Sequence, residues 1–139
     1  MTKTNKVLLI DDDEMLNMIN KRIMQKANYA ENPQTYLNAT DAIDDIKETV
    51  QTHPGDLPDA IFLDINMPNM DGWEFLEEFE KIPGQLVNKC KVFMLTSSID
   101  PRDIEKSKSY KTVSEFICKP LSVEKLKILN MLSGTGTSK

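Results

Sequence analysis

Ala60-Ile-Phe-Leu-Asp-Ile-Asn-Met-Pro-Asn-Met-Asp-Gly-Trp-Glu-Phe-Leu76 is the stretch on which the reading of this 139-residue chain turns. Ala60 to Leu63 is a short, uninterrupted apolar run, the pattern of a strand buried on both faces. It runs directly into a carboxylate, Asp64. Beyond the Asp71-Gly72 pair, a common turn signal, Trp73, Leu76, Phe79 and Ile82 line one side of a helix that Pro83-Gly84 ends. A buried strand, an acid at its carboxyl end and an amphipathic helix form the unit to look for elsewhere.

The unit recurs. Val7-Leu-Leu-Ile10 reads as a buried strand ending in Asp11-Asp12-Asp13, and Met15, Ile19 and Ile23 predict one apolar helix face over Glu14 to Ala27. A weak second strand fits Gln34 to Leu37, followed by a helix from about Thr40 to Val50 with Ala42, Ile43, Ile46 and Val50 on one side. Lys91 to Leu95 is a fourth strand. Asp100 then caps a helix with Pro101 at its first position, where the missing amide costs no hydrogen bond. Glu115 to Cys118 is a fifth strand, and Ser122 caps a last helix through Leu132. Residues 133–139 read as a frayed tail, residues 1–5 as another, and residues 6–132 as one domain with nothing attached.

Strict alternation of five strands and five helices implies an α/β doubly wound parallel sheet with helices on both faces. Right-handed crossovers leave few topologies. Ligands of such folds bind at the carboxyl ends of the strands, near the switch in strand order.

Composition narrows the function. With 40% hydrophobic and 28% charged residues the chain is globular rather than disordered. Its net charge of -5, from 17 scattered basic and 22 acidic residues, argues against a nucleic-acid surface. No segment approaches the length of a membrane span or of a signal-peptide core, so a cytoplasmic location is expected. On the strand assignment Cys90 and Cys118 lie at opposite ends of neighbouring strands, roughly 13–17 Å apart at about 3.3 Å per residue. That is too far for a disulfide, so both are expected to be core thiols. His53, the single histidine, falls in a polar loop, which leaves no histidine for a metal site or a catalytic triad.

What remains at the strand ends is Asp11, Asp12 and Asp13 after strand one, Asp64 and Asn66 after strand three, Thr96 after strand four and Lys119-Pro120 after strand five. Alone, each has a bland account: a helix cap, a strand-end hydroxyl, a solvated lysine. Their joint placement at four strand ends does not. Asp11, Asp12 and Asp64 would repel one another unless a cation neutralised them. Oxygen ligands without His or Cys suit Mg²⁺ or Ca²⁺, and Mg²⁺ takes few protein ligands, leaving room for a phosphoryl oxygen. Lys119 and Thr96 would hold the other phosphoryl oxygens, and Asp64 would be the nucleophile that forms an acyl phosphate.

Leu-Ile-Asp-Asp-Asp (9–13), Leu-Asp-Ile-Asn-Met-Pro-Asn-Met-Asp-Gly (63–72), Met-Leu-Thr-Ser (94–97) and Cys-Lys-Pro (118–120) resemble the receiver domains of two-component response regulators, in order and over residues 6 to about 132. The resemblance implies a (βα)5 flavodoxin-like fold with strand order 2-1-3-4-5. It implies Asp64 as phosphoacceptor, Asp12 as direct Mg²⁺ ligand, Asp11 acting largely through water, the Asn66 carbonyl as a further ligand, and Lys119 pairing with the phosphoryl group across a cis Lys119-Pro120 bond. Thr96 and Phe116 would form the switch, with Phe116 where many relatives have Tyr. The surface of helix four, strand five and helix five would carry the signal. Partners implied are a histidine kinase or histidine phosphotransfer protein upstream and another protein downstream, with a phosphorylation-dependent dimer as a further possibility. Ser98 and Asn66 would line the path of the water that removes the phosphoryl group.

Other readings meet specific obstacles. Haloacid-dehalogenase-type phosphatases place a second aspartate two residues after the nucleophile. Asn66 stands there, so the chain is expected to shed its own phosphoryl group slowly and not to turn over external esters. A flavodoxin would need a Ser/Thr/Gly-rich phosphate loop where this chain has three carboxylates. A receiver-like module that binds partners without phosphorylation would normally lack one of the acceptor, acidic-pair or lysine residues, and none is missing.

Overall fold

The computed structural model describes residues 6–84, 90–97 and 100–137, with side chains described to residue 131. Along the chain run β1 (Val7–Ile10), α1 (Glu14–Lys26), β2 (Gln34–Tyr36), α2 (Ala39–Thr52), a 3-10 turn (Pro54–Asp56), β3 (Ala60–Asp64), α3 (Gly72–Phe79), β4 (Lys91–Thr96), α4 (Pro101–Ser107), β5 (Val113–Cys118) and α5 (Val123–Thr137). The strands form one parallel sheet in the order β2-β1-β3-β4-β5. The order reverses between β1 and β3, as the flavodoxin-like expectation requires.

The alternation of side chains along β3 divides the core in two. Ile61 and Leu63 join Ala42, Ile43 and Ile46 of α2 and Phe75, Leu76 and Phe79 of α3. Ala60 and Phe62 join Met24 of α1 and Leu126 and Leu129 of α5 on the other face. Phe62 is fully buried, its ring 4.9 Å from that of Phe93 and edge-on to Tyr29 at 5.8 Å. Burial of one such ring stabilises the fold by about 1.5–3 kcal/mol.

Caps start the helices. Asn38 accepts the Asp41 amide ahead of α2, and Asp100 accepts the Arg102 amide ahead of α4. Ser122 accepts the Lys125 amide ahead of α5. The Asp71-Gly72 pair is more than a turn: Asp71 and Glu74 form a reciprocal capping box that starts α3 at Gly72.

Three details differ from the sequence reading. On α1, Met15 and Ile19 are exposed and Ile23 half-buried, whereas Asn17, Asn20 and Met24 face the sheet. On that buried face Asn17 hydrogen-bonds to the backbone carbonyls of Asp11 and Tyr36, a contact that apolar periodicity does not register. The backbone of α5 continues past Leu132 to Thr137, where no proline interrupts the i to i-4 bonds, so the predicted frayed tail is helical there. Residues 1–5 and 138–139 lie outside the described residues. Neither cysteine forms a disulfide, but only Cys90 is buried; Cys118, at the end of β5, is half-buried.

Candidate functional site

The carboxyl ends of β1, β3, β4 and β5 bring the predicted residues onto one rim. Asp11 leaves β1 only 2% exposed, while Asp12 points to the exposed side. The Asp11 carboxylate accepts the Asp13 amide at 2.9 Å on Oδ1 and the Lys119 ammonium at 3.1 Å on Oδ2. Asp13 caps α1 by accepting the Leu16 amide. Its carboxylate therefore serves the helix rather than the rim.

Asp64, last residue of β3 and 6% exposed, accepts the same Lys119 ammonium on Oδ1, also at 3.1 Å. One lysine thus bridges two buried carboxylates that a parallel sheet has brought together from sequence positions far apart. Asp11, Asp12 and Asp64 each offer a carboxylate oxygen within 4.8 Å of the others. Burial comes first in raising the Asp64 carboxyl above its ordinary pKa, the Asp11 charge next; Lys119 opposes them without cancelling them. For Lys119, burial works against the ammonium, but its bonds and charge interactions with Asp11 and Asp64 outweigh it and raise its pKa.

Backbone contacts hold the rim together. The Lys119 amide donates to the Thr96 carbonyl at 2.7 Å, tying the end of β5 to that of β4, and the Lys119–Pro120 bond is cis. Thr96 is buried beside Cys118 in register. The Gly72 amide donates to the Ile65 carbonyl at 2.9 Å, docking the start of α3 on the loop that follows Asp64. That approach demands glycine, since a Cβ at Gly72 would stand 2.9 Å from the Asp64 carbonyl oxygen and 3.0 Å from the Ile65 Cα.

Phe116 lies opposite Met94 on β5, half-buried, its ring 6.4 Å from Trp73. Trp73 in turn stacks on Tyr110 at 5.7 Å, with the Lys106 ammonium 4.8 Å over its ring. Asn66 has an exposed side chain on the loop after Asp64. Ser98 lies outside the described residues.

Sequence reasoning missed Gly72 as a packing requirement and missed Lys125. The Lys125 ammonium donates to the carbonyls of Cys118 at 2.6 Å and Pro120 at 2.7 Å, holding the turn that carries Lys119. A lysine three residues after the Ser122 cap was the only signal, and it is also the pattern of a solvated helix lysine.

Three clustered oxygen donors, joined by no histidine or cysteine among the described residues, fit a hard divalent cation such as Mg²⁺. Burial, and after it the Asp11 charge, makes the ionised Asp64 carboxylate unfavourable, a cost that a bound cation would relieve.

A doubly wound parallel sheet in the order β2-β1-β3-β4-β5, with this acid–lysine–hydroxyl rim at its switch point, defines a flavodoxin-like α/β domain. The chain belongs to the response regulator receiver domain family, whose model matches residues 7–129. It is similar to the crystal structure of a two-component response regulator from Cytophaga hutchinsonii, with 34% identity and a TM-score of 0.84 over 94% of this chain and 97% of that one. A response regulator receiver protein from Dyadobacter fermentans matches with 26% identity and a TM-score of 0.77 over 89% of this chain and 93% of that one. A two-component response regulator of Arabidopsis thaliana is 28% identical over 122 residues, 88% of this chain and 20% of that protein's length. Receiver domains are signalling phosphoacceptors served by a histidine kinase and acting on a downstream partner; they are not turnover enzymes. No helix among the described residues is long and apolar enough to cross a membrane.

Proposed function

We propose that the chain accepts a phosphoryl group on Asp64 from a histidine kinase or histidine phosphotransfer protein, with Mg²⁺ bound, and passes the signal on through its α4-β5-α5 surface. The observation that carries this reading is the Lys119 ammonium bridging Asp11 and Asp64 at 3.1 Å, beside Asp12. Asp11 (through water), Asp12, Asp64 and the Asn66 carbonyl would hold the cation. Bound there, it would neutralise the carboxylates and part of the phosphoryl charge.

An Asp64 carboxylate oxygen attacks phosphorus. The new O–P bond forms as the donor's N–P bond breaks, and the bonding pair stays on the imidazole nitrogen. Lys119, freed from Asp64 Oδ1, hydrogen-bonds to a phosphoryl oxygen, and the Thr96 hydroxyl turns to another. Catalysis is positioning and charge neutralisation. Water later attacks phosphorus and restores Asp64, slowly, since Asn66 cannot act as a general base for it.

Phe116 follows Thr96 inward in this scheme. Lacking a hydroxyl, it has no hydrogen bond to hold an outward state, and its ring lies 6.4 Å from that of Trp73. The altered α4-β5-α5 face then engages a downstream protein or a second copy of the chain. A cytoplasmic location belongs to the same proposal.

The test is incubation with acetyl phosphate and Mg²⁺, followed by intact mass. One phosphoryl group should appear on the wild type, be abolished by chelator, and be absent from Asp64→Asn. No gain under conditions that label other receivers would overturn the phosphoacceptor role and leave a constitutive interaction module.

A further inference from the structure

Asn17 lies on the sheet-facing side of α1, only 2% exposed, where a helix–sheet interface favours an apolar side chain. Its amide nitrogen donates to two backbone carbonyls, that of Asp11 at 3.0 Å and that of Tyr36 at 3.2 Å. The Tyr36 carbonyl also accepts the Asp11 amide at 3.1 Å. Asp11 is therefore held at both its N–H and its C=O against the carboxyl end of β2.

The two acceptors set the sense of the Asn17 amide, because turning it over would press Oδ1 against two carbonyl oxygens. In that sense Oδ1 is buried with no hydrogen-bond partner among the described residues. An orphaned buried acceptor is unfavourable, and leucine would fill much the same volume without one. Packing does not account for asparagine here. The two donated bonds do.

The peptide so clamped is the one joining Asp11 to Asp12. A trans peptide is planar, so fixing its carbonyl orients the backbone on both sides of it. We propose that Asn17 is the positioning residue of the acidic pair, anchoring the Asp11–Asp12 peptide to the end of β2 and thereby setting the affinity of the rim for Mg²⁺. The inference rests on the phosphoacceptor reading above, and it concerns a residue that touches neither metal nor phosphoryl group.

The test is titration calorimetry with Mg²⁺ on the unphosphorylated full chain, beside thermal melts in chelator, for wild type, Asn17→Leu, Asn17→Ala and Met24→Ala. Leucine removes the donor and keeps the bulk; alanine removes both. Met24, fully buried on the same face, serves as a packing control. Both Asn17 variants are expected to bind Mg²⁺ about tenfold or more weakly, the range for losing a group that orients metal ligands. Asn17→Leu should melt close to wild type, and Met24→Ala should melt lower with Mg²⁺ affinity unchanged. Wild-type affinity in Asn17→Leu would overturn the proposal, as would a loss in Met24→Ala matching that of the Asn17 variants. A wild type that binds no Mg²⁺ would overturn the phosphoacceptor reading, and this inference with it.

Discussion

Asp64→Asn should make the metal-free protein more stable while removing the group on which the proposed chemistry depends. Burial strips water from the Asp64 carboxylate, and the Asp11 carboxylate within 4.8 Å repels it by about 3.5 kcal/mol at an effective dielectric of about 20, with the solvent-screened Asp12 adding less. Against them stands one attraction of about 5 kcal/mol to Lys119 at 3.1 Å. Lys119 does not cancel burial and repulsion together, so the Asp64 charge is left unfavourable by roughly 1–2 kcal/mol. Asparagine keeps an oxygen for Lys119 and drops the charge, so in chelator at neutral pH its melting midpoint should rise by roughly 5 °C.

The pH dependence follows from the raised Asp64 carboxyl. A carboxyl whose pKa is higher folded than unfolded weakens the fold when ionised, and that penalty is lifted as pH falls through the folded value. The gap between variant and wild type should therefore be widest near neutrality, narrow as pH falls through the raised pKa, and close below the ordinary value of 3.8. Mg²⁺ at a hundred times its dissociation constant stabilises whatever binds it by about 2.7 kcal/mol, enough to bring wild type level with the variant or above it. Calorimetric melts across pH, with chelator and with Mg²⁺, check all three statements. A variant that melts below wild type in chelator at neutral pH, or a gap that widens on acidification, would refute the charge accounting.

Lys119→Ala leaves Asp11 and Asp64 without their shared ammonium and should cost about 3 kcal/mol in urea denaturation with chelator, part of it restored by Mg²⁺; equal stability with and without Mg²⁺ would count against the bridge. Gly72→Ala sets a Cβ 2.9 Å from the Asp64 carbonyl oxygen and should destabilise by about 1–3 kcal/mol, since backbone rather than a flexible side chain must yield. It should also slow labelling by acetyl phosphate, followed by intact mass. Trp73 is the one tryptophan and sits between Tyr110 and Phe116, so its emission should change on phosphorylation. That change should shrink in Phe116→Ala if movement of Phe116 is its source.

The fold class, and the placing of Asp11, Asp12, Asp64, Thr96 and Lys119 at strand ends, follow from the order of residue types alone. Buried parallel strands must be short and apolar, crossovers force alternation with helices, and chemistry at strand ends follows directly from locating the strands. Ala60 to Leu63 and the acid after it were therefore legible in one stretch. The outward face of α1 was not. Apolar periodicity points to Met15, Ile19 and Ile23, whereas the face against the sheet carries Asn17, Asn20 and Met24, with Asn17 donating two hydrogen bonds to backbone carbonyls. A pattern of residue types records hydrophobicity, whereas a bond to a carbonyl on another strand exists only once that strand is beside it. The same reason separates naming Lys119 from finding it between Asp11 and Asp64, and the Asp71-Gly72 turn from the close approach that requires its glycine. Residue types were set by the chain; which charges share a proton donor, and which backbone atoms touch, were decided by the sheet that brings them within 3 to 5 Å.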